Sequence, residues 1–123
     1  MLLCLAALEA PLQLPLQGSL YGQQCVFICN DWMAGLVPIY LAAKYRPHGV
    51  YTHARSVLAI HNLRHQGVFP PSTYASLGLP AEWYGALEYQ YPPHERLGAY
   101  EEEGRSVNTL KVCGGGFVGV VWV

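Results

Sequence analysis

Two short apolar runs in this chain each end in polar residues that could do chemistry. Cys25-Val26-Phe27-Ile28-Cys29 is followed after Asn30 by Asp31, and Ser56-Val57-Leu58-Ala59-Ile60 is followed directly by His61-Asn62. A carboxylate and an imidazole can hold a ligand, move a proton or steady a developing charge. Each also has a structural use, Asp31 as a helix N-cap and His61 as a hydrogen-bonded loop residue. What joins them is position. In open α/β sheets, ligands bind outside the carboxyl ends of the parallel strands, and both residues fall at such ends.

Other chemical signals resolve to less. His61 and His65 are spaced as a helical metal pair would be, but the strand just before His61 and the glycine at Gly67 make this a loop. With no cluster of carboxylates nearby, no metal is expected. His48, His53 and His94 read as surface or loop residues. Lys111-Val112-Cys113-Gly114-Gly115-Gly116 lacks the spacing and the Lys-Ser/Thr pair of a phosphate loop. The four cysteines, at 4, 25, 29 and 113, follow neither C-x-x-C nor zinc-finger spacing, so buried free thiols are expected. Phe69, Tyr74, Trp83, Tyr84, Tyr89 and Tyr91 could offer stacking faces to a sugar or a base, or simply pack a core.

The elements that must position Asp31 and His61 follow from the pattern. Continuous rather than alternating apolar runs predict strands buried on both faces, the habit of parallel sheets. Between them, Val37 to Arg46 predicts a helix with Pro38 in its first turn, where proline is tolerated. Strand, helix and strand, with roughly 25 residues between the strands, make a right-handed parallel crossover. Upstream, Leu2 to Ala10 predicts a short helix ended by Pro11. Downstream, prolines 70, 71, 80, 92 and 93 punctuate an irregular stretch from Arg64 to Arg105, and Glu101–Glu103 reads as a solvated acidic run. Ser106–Lys111 predicts another helix. Val112–Val123 is uncharged and apolar, and is expected to be poorly packed and aggregation-prone.

Composition bounds the partners. The 123 residues are 52% hydrophobic and only 12% charged, against about 25% charged in ordinary soluble domains. That is one domain's worth of chain at most, with ample core material and a sparse charged surface. Seven Lys+Arg against eight Asp+Glu give a net charge of −1, so no nucleic-acid partner is expected. The apolar stretch Met1 to Leu8 has no preceding basic residue and is cut short by Glu9 and Pro11. It predicts neither a signal peptide nor a membrane span.

At this point three motifs match a known family. Asn30-Asp31-Trp32 with Ala34-Gly35-Leu36-Val37-Pro38 resembles the N-D-W-H-(A/T)-(G/A)-L-(V/I)-P segment of bacterial glycogen synthases and plant starch synthases. Ile60-His61-Asn62-Leu63-Arg64-His65-Gln66-Gly67 is similar to their I-H-N-(I/L)-A-(H/Y)-Q-G. Leu77-Gly78-Leu79-Pro80-Ala81-Glu82-Trp83-Tyr84-Gly85-Ala86-Leu87-Glu88 resembles the L-G-L-P-P-E-W-Y-G-A-L-E stretch of soluble plant starch synthases. Lys44-Tyr45-Arg46-Pro47 and Val107-Asn108-Thr109-Leu110-Lys111 also fit, so the resemblance covers Leu2 to Lys111.

The resemblance implies a partial Rossmann-like parallel sheet with flanking helices, from the N-terminal half of a two-domain retaining glucosyltransferase. It implies glucose transfer from ADP-glucose, as donor substrate and with no cofactor, to the non-reducing end of an α-1,4-glucan in a chloroplast or amyloplast. By that resemblance His61 and Asp31 are the catalytic candidates on the donor side of the cleft, and Asn62 and Gln66 are the substrate-binding candidates, which also shape the following loop. Residues 1–111 then form a partial catalytic domain and 112–123 a divergent apolar tail.

Three departures bear on activity. Met33 stands where the family has histidine, and Arg64 replaces a small alanine. The family's Lys-x-Gly-Gly-Leu nucleotide-sugar loop and its phosphate-binding second domain are not among these residues. A truncated synthase product without a transit peptide is therefore expected, inactive as an isolated chain. The alternatives are a catalytically inactive glucan- or partner-binding module that associates with a full-length synthase, and a small α/β binding module unrelated to transfer.

Overall fold

The computed structural model describes residues 1–16, 18–90, 106–111 and 119–122. Helix α1 spans Leu2–Gln13. It buries Cys4 and Leu8, one helical turn apart, while Leu5 and Leu12 pack against the same core. The helix was expected to stop before Pro11, yet it runs to Gln13 with the proline inside. Pro11 falls in the last turn, where it removes only its own N–H. The Leu14 N–H still reaches the Ala10 carbonyl at 2.9 Å, and the Pro11 carbonyl accepts the Gly22 N–H at 2.8 Å. Docking of Leu8 and Leu12 offsets the roughly 3 kcal/mol that an interior proline costs. A short antiparallel hairpin follows, β1 (Pro15–Leu16) with β2 (Ser19–Leu20).

The expected pair of parallel strands joined by a helical connection is present. β3 (Val26–Asn30) and β4 (Arg55–Ile60) run parallel, with Cys29 opposite Leu58 and Asn30 opposite Ala59. The connection carries α2 (Asp31–Ala34) and α3 (Val37–Tyr40), with Pro38 in the first turn of α3 as the sequence predicted. The helical path continues through a wider turn at Leu41–Tyr45 and a tight one at Arg46–His48. Val37, Ile39, Tyr40 and Leu41 are all buried, and the Tyr40 hydroxyl donates to the Leu77 carbonyl at 3.0 Å. Tyr51 holds a left-handed backbone, φ 58°, because it is fastened at both ends. Its hydroxyl donates to the Leu8 carbonyl at 2.6 Å, and its N–H to the Gln23 side chain at 2.9 Å.

β3 is not buried on both faces. Cys29 is buried and Phe27 packs edge-on against Tyr51, but Val26 is 60% and Ile28 69% exposed. Cys4 and Leu8 of α1 and Val37, Ile39 and Tyr40 of α3 share one buried cluster with Cys29, Leu58 and Ile60 of the sheet, and among the described residues no layer covers the face of β3 that carries Val26 and Ile28. β4 is the central strand, with Ser56, Leu58, Ala59 and Ile60 buried. Its other edge pairs in parallel with β8 (Gly119–Trp122), giving the order β3-β4-β8. These four residues were expected to lie in a poorly packed tail, and their backbone instead extends the sheet.

A second, antiparallel sheet has the order β5-β7-β6, from β5 (Val68–Phe69), β6 (Glu88–Tyr89) and β7 (Ser106–Asn108). Tight helical turns at Pro71–Leu77 and Ala81–Trp83 and the short α4 (Tyr84–Leu87) join β5 to β6. A helix was expected over Ser106–Lys111, but the segment is the middle strand of this sheet. Val107 is fully buried between its neighbours, and the Asn108 Oδ1 accepts the Leu110 and Lys111 N–H groups at 2.9 Å each, which turns the chain out of the strand. The acidic run Glu101–Glu103 and His94 lie outside the described residues.

Cys4, Cys25 and Cys29 are free thiols, the first and third buried and Cys25 half-buried, while Cys113 lies outside the described residues. Among the described residues no helix is long and apolar enough to cross a membrane.

Burial sets the alkaline limit of the fold. It pushes the Cys29 thiol up to about 12 from 9.0, helped by nearby Cys4, and the Tyr40 and Tyr51 hydroxyls up to about 12 from 10.0. The folded chain thus keeps these protons where the unfolded chain releases them. Their stabilisation is complete below about pH 9 and is lost as the pH climbs towards about 12. The urea midpoint should hold steady up to about pH 9 and fall steeply above it; a flat midpoint to pH 11 would contradict this burial.

Candidate active site

The carboxyl ends of β3 and β4 lie side by side at one edge of the sheet, and the segments that follow them form the candidate crevice. β3 ends at Asn30, and the next residue, Asp31, adopts φ 53°. A left-handed backbone is tolerable for aspartate, whose short polar side chain bonds locally, but it still costs about 1–3 kcal/mol and persists only where the surroundings fix it. Here they do. The Asp31 Oδ1 accepts the backbone N–H of His61 at 2.7 Å and of Asn62 at 3.3 Å. Asp31 does not cap α2: the residue at the cap position is Asn30, which makes no side-chain capping bond. The carboxylate crosses to the neighbouring strand and holds the start of the loop after β4.

Sequence reasoning placed Asp31 and His61 at one edge of one sheet, on adjacent strands, and the structure brings them into direct contact there. The His61 imidazole is exposed, with Nε2 3.3 Å from the Asn30 Oδ1. It is open to a ligand while steadied from the β3 side. Asn62 is exposed and Gln66 half-buried, and both bond backbone groups of their own loop. The Asn62 Oδ1 accepts the Arg64 N–H at 2.8 Å. The Gln66 Nε2 donates to the Leu63 carbonyl at 2.9 Å, and its Oε1 accepts the Asn108 amide at 2.8 Å. In this arrangement both residues shape the loop, and their named polar atoms are engaged by protein.

Beside Asp31, Trp32 and Met33 line an apolar cavity of about 180 Å³ with Leu36, Phe69, Leu77 and Val107. The Trp32 and Phe69 rings lie 6.0 Å apart at 59°. Met33, where the resemblance leads one to expect histidine, is half exposed and adds a thioether to this apolar wall.

The residues that brace the crevice were not picked out from the sequence. Thr109 is buried, and its hydroxyl lies 3.1 Å from the Trp32 carbonyl and 3.3 Å from the Gly67 carbonyl; its N–H also donates to the Gly67 carbonyl at 3.1 Å. Two glycines make room for it. A Cβ on Gly35 would run into the Thr109 carbonyl, and one on Gly67 would strike the Thr109 hydroxyl and come within 2.6 Å of the Trp32 ring. Gly67 also sits at φ 63°, where side chains are strained. The available signal was the pair of glycines inside the two motifs, which mark close backbone approach.

Comparison with known proteins agrees with these motifs. The family model of the starch synthase catalytic domain matches residues 1–117. Soluble starch synthase 1, chloroplastic/amyloplastic, of Oryza sativa subsp. indica is 64% identical over 110 residues, which is 89% of this chain and 17% of the rice protein. The Arabidopsis thaliana starch synthase 1, chloroplastic/amyloplastic, is 61% identical over the same shares. Granule-bound starch synthase 1, chloroplastic/amyloplastic, of Manihot esculenta is 40% identical over 117 residues, 89% of this chain and 18% of that protein. The chain thus spans under a fifth of the length of the curated relatives it matches.

The crowding at Gly67 gives a direct check on the bracing. Gly67→Ala should destabilise the chain by roughly 2 kcal/mol or more, combining a strained φ with overpacking. Gly85→Ala, in α4 with open space around it, should be neutral or stabilising by about 0.5 kcal/mol. Chemical denaturation of both variants measures the contrast, and equal effects would remove the case for close approach at Gly67.

Proposed function

Because the chain belongs to the starch synthase catalytic domain family, we propose that it supplies one wall of a glucosyltransferase site, at which glucose passes from ADP-glucose to the non-reducing end of an α-1,4-glucan. The observation that carries this reading is the pairing of Asp31 and His61 at the carboxyl edge of a parallel sheet, with the imidazole exposed and the carboxylate spent on holding its loop. On this reading His61 touches the transferred glucosyl group, and its contact strengthens as charge develops at the reacting carbon. Asp31 fixes the backbone that presents it. Asn62 and Gln66 keep the loop in shape beneath the sugar. No cofactor is invoked; ADP-glucose is the donor. The names of the relatives place those proteins in chloroplasts and amyloplasts, and we extend a plastid location to this chain.

A sheet edge with one imidazole does not hold a nucleotide sugar in register with a glucan end, and positioning supplies much of an enzyme's advantage. We therefore expect no transfer from the 123-residue chain by itself. A second reading, a non-catalytic glucan- or partner-binding module that associates with a full-length synthase, is favoured by one observation: the exposure of Val26 and Ile28 on β3 among the described residues.

The test uses the rice soluble starch synthase 1 carrying residues 1–111 of this chain in place of its own matching segment. His61→Ala in that enzyme should lower kcat by roughly 10²-fold or more while the KM for glucan changes little, the signature of a contact made mainly in the transition state. The isolated chain, given labelled ADP-glucose and a maltooligosaccharide, should incorporate no label above its own His61→Ala control. A change confined to the glucan KM would refute the donor-side role, and transfer by the isolated chain would refute the single-wall account.

A further inference from the structure

A closed circuit of hydrogen bonds surrounds the crevice. It starts at the Asp31 carboxylate, which holds the N–H groups of His61 and Asn62. The loop then runs to Gly67, whose carbonyl accepts the Thr109 N–H and lies within reach of the Thr109 hydroxyl. The same hydroxyl reaches the Trp32 carbonyl, and Trp32 is the residue after Asp31. Every residue of the circuit but one lies in the chain that follows β3 or β4. The exception is Thr109, which arrives from the end of β7 in the second sheet.

From this geometry we propose that Thr109 is a positioning residue for the transfer reaction, setting the spacing between the Asp31 turn and the His61 loop through its single hydroxyl proton. The inference rests on the reading of His61 and Asp31 given above. Thr109 also lines the apolar cavity beside Asp31, and its bearing on His61 is indirect. It acts through two backbone carbonyls, one on each loop, and three features commit it to that use. Its side chain is buried, with 4% of the residue exposed. A Cβ at Gly35 would strike the Thr109 carbonyl and one at Gly67 the Thr109 hydroxyl, so both glycines leave room for its close approach. The neighbouring Asn108, also buried, donates its side-chain Nδ2 to Gln66 and accepts the Leu110 and Lys111 N–H groups at its Oδ1, so the turn bearing Thr109 is itself held to the His61 loop. The Lys111 ammonium on the Glu88 carbonyl ties the turn's far end to β6. With the second sheet thus anchored, a small shift at Thr109 moves Trp32 and Gly67 relative to each other, and with them Asp31 and His61.

Valine keeps the shape of threonine and removes the hydroxyl; serine keeps the hydroxyl and removes the methyl group. In the rice synthase carrying residues 1–111 of this chain, Thr109→Val should lower kcat about tenfold with the KM for ADP-glucose and glucan changed less than about twofold, and Thr109→Ser should recover most of the rate. Amide exchange of the same proteins gives a readout independent of activity: the His61 and Asn62 N–H groups should exchange roughly five- to tenfold faster in Thr109→Val, as expected for about one hydrogen bond lost, and at the original rate in Thr109→Ser. Wild-type kcat and exchange in Thr109→Val, or an equal loss in Thr109→Ser, would overturn the proposal. Faster exchange with unchanged kcat would also overturn it, since the crevice would then loosen without consequence. Should His61→Ala leave turnover intact, the donor-side reading of His61 fails by itself, and the exchange rates alone then decide whether Thr109 sets the spacing.

Discussion

The carboxylate of Asp31 links the ends of the two parallel strands, and most of what is distinctive in this chain serves that link. An aspartate at φ 53° is held away from its preferred backbone, at a cost of about 1–3 kcal/mol. Two backbone N–H bonds from the loop that follows β4, the shorter at 2.7 Å, offset it. The left-handed turn aims the carboxylate sideways across the sheet edge, where a cap would aim it along its own helix. This gives His61 a fixed backbone and an exposed ring, a combination that an unbraced loop after β4 would lack. It also fixes where α2 begins, and so where Trp32 and Met33 meet the apolar cavity.

The crossover was legible because its signals are local. Two apolar runs of strand length, each closed by polar residues, and a proline placed where a helix begins are enough to define β3, α3 and β4. The same runs could not reveal burial. Val26 and Ile28 are as apolar as Val57 and Leu58, but among the described residues the first pair sits on an edge strand with one face uncovered and the second on the central strand. Apolar content reports what a strand would bury given neighbours on both faces, and the neighbours are a tertiary fact. Pro11 misled for a related reason: its local cost is real, but contacts from Leu8 and Leu12 outweigh it in the final turn.

The site was half legible. Asp31 and His61 emerged because strand ends are where α/β sheets place ligands. Their bracing did not, since Thr109 lies in a segment that reads as a helix start and is in fact the exit of a strand. What decides that segment is the burial of Val107 between two strands and the use of Asn108 to satisfy two following N–H groups. Neither is visible to a periodicity argument over six residues. The glycines at 35 and 67 recorded the close approach, but not which residue approaches.

The central claim is that Asp31 and Thr109 belong to one network rather than to two separate structural details. A double-mutant cycle on unfolding free energy, with Asp31→Ala, Thr109→Val and the two combined, tests it most directly. Residues in one hydrogen-bond circuit should show a coupling of about 1 kcal/mol or more, because opening the circuit at either residue already frees the Trp32 and Gly67 backbone. Additivity within about 0.3 kcal/mol would mean that the two residues act independently and that the circuit is only a coincidence of distances.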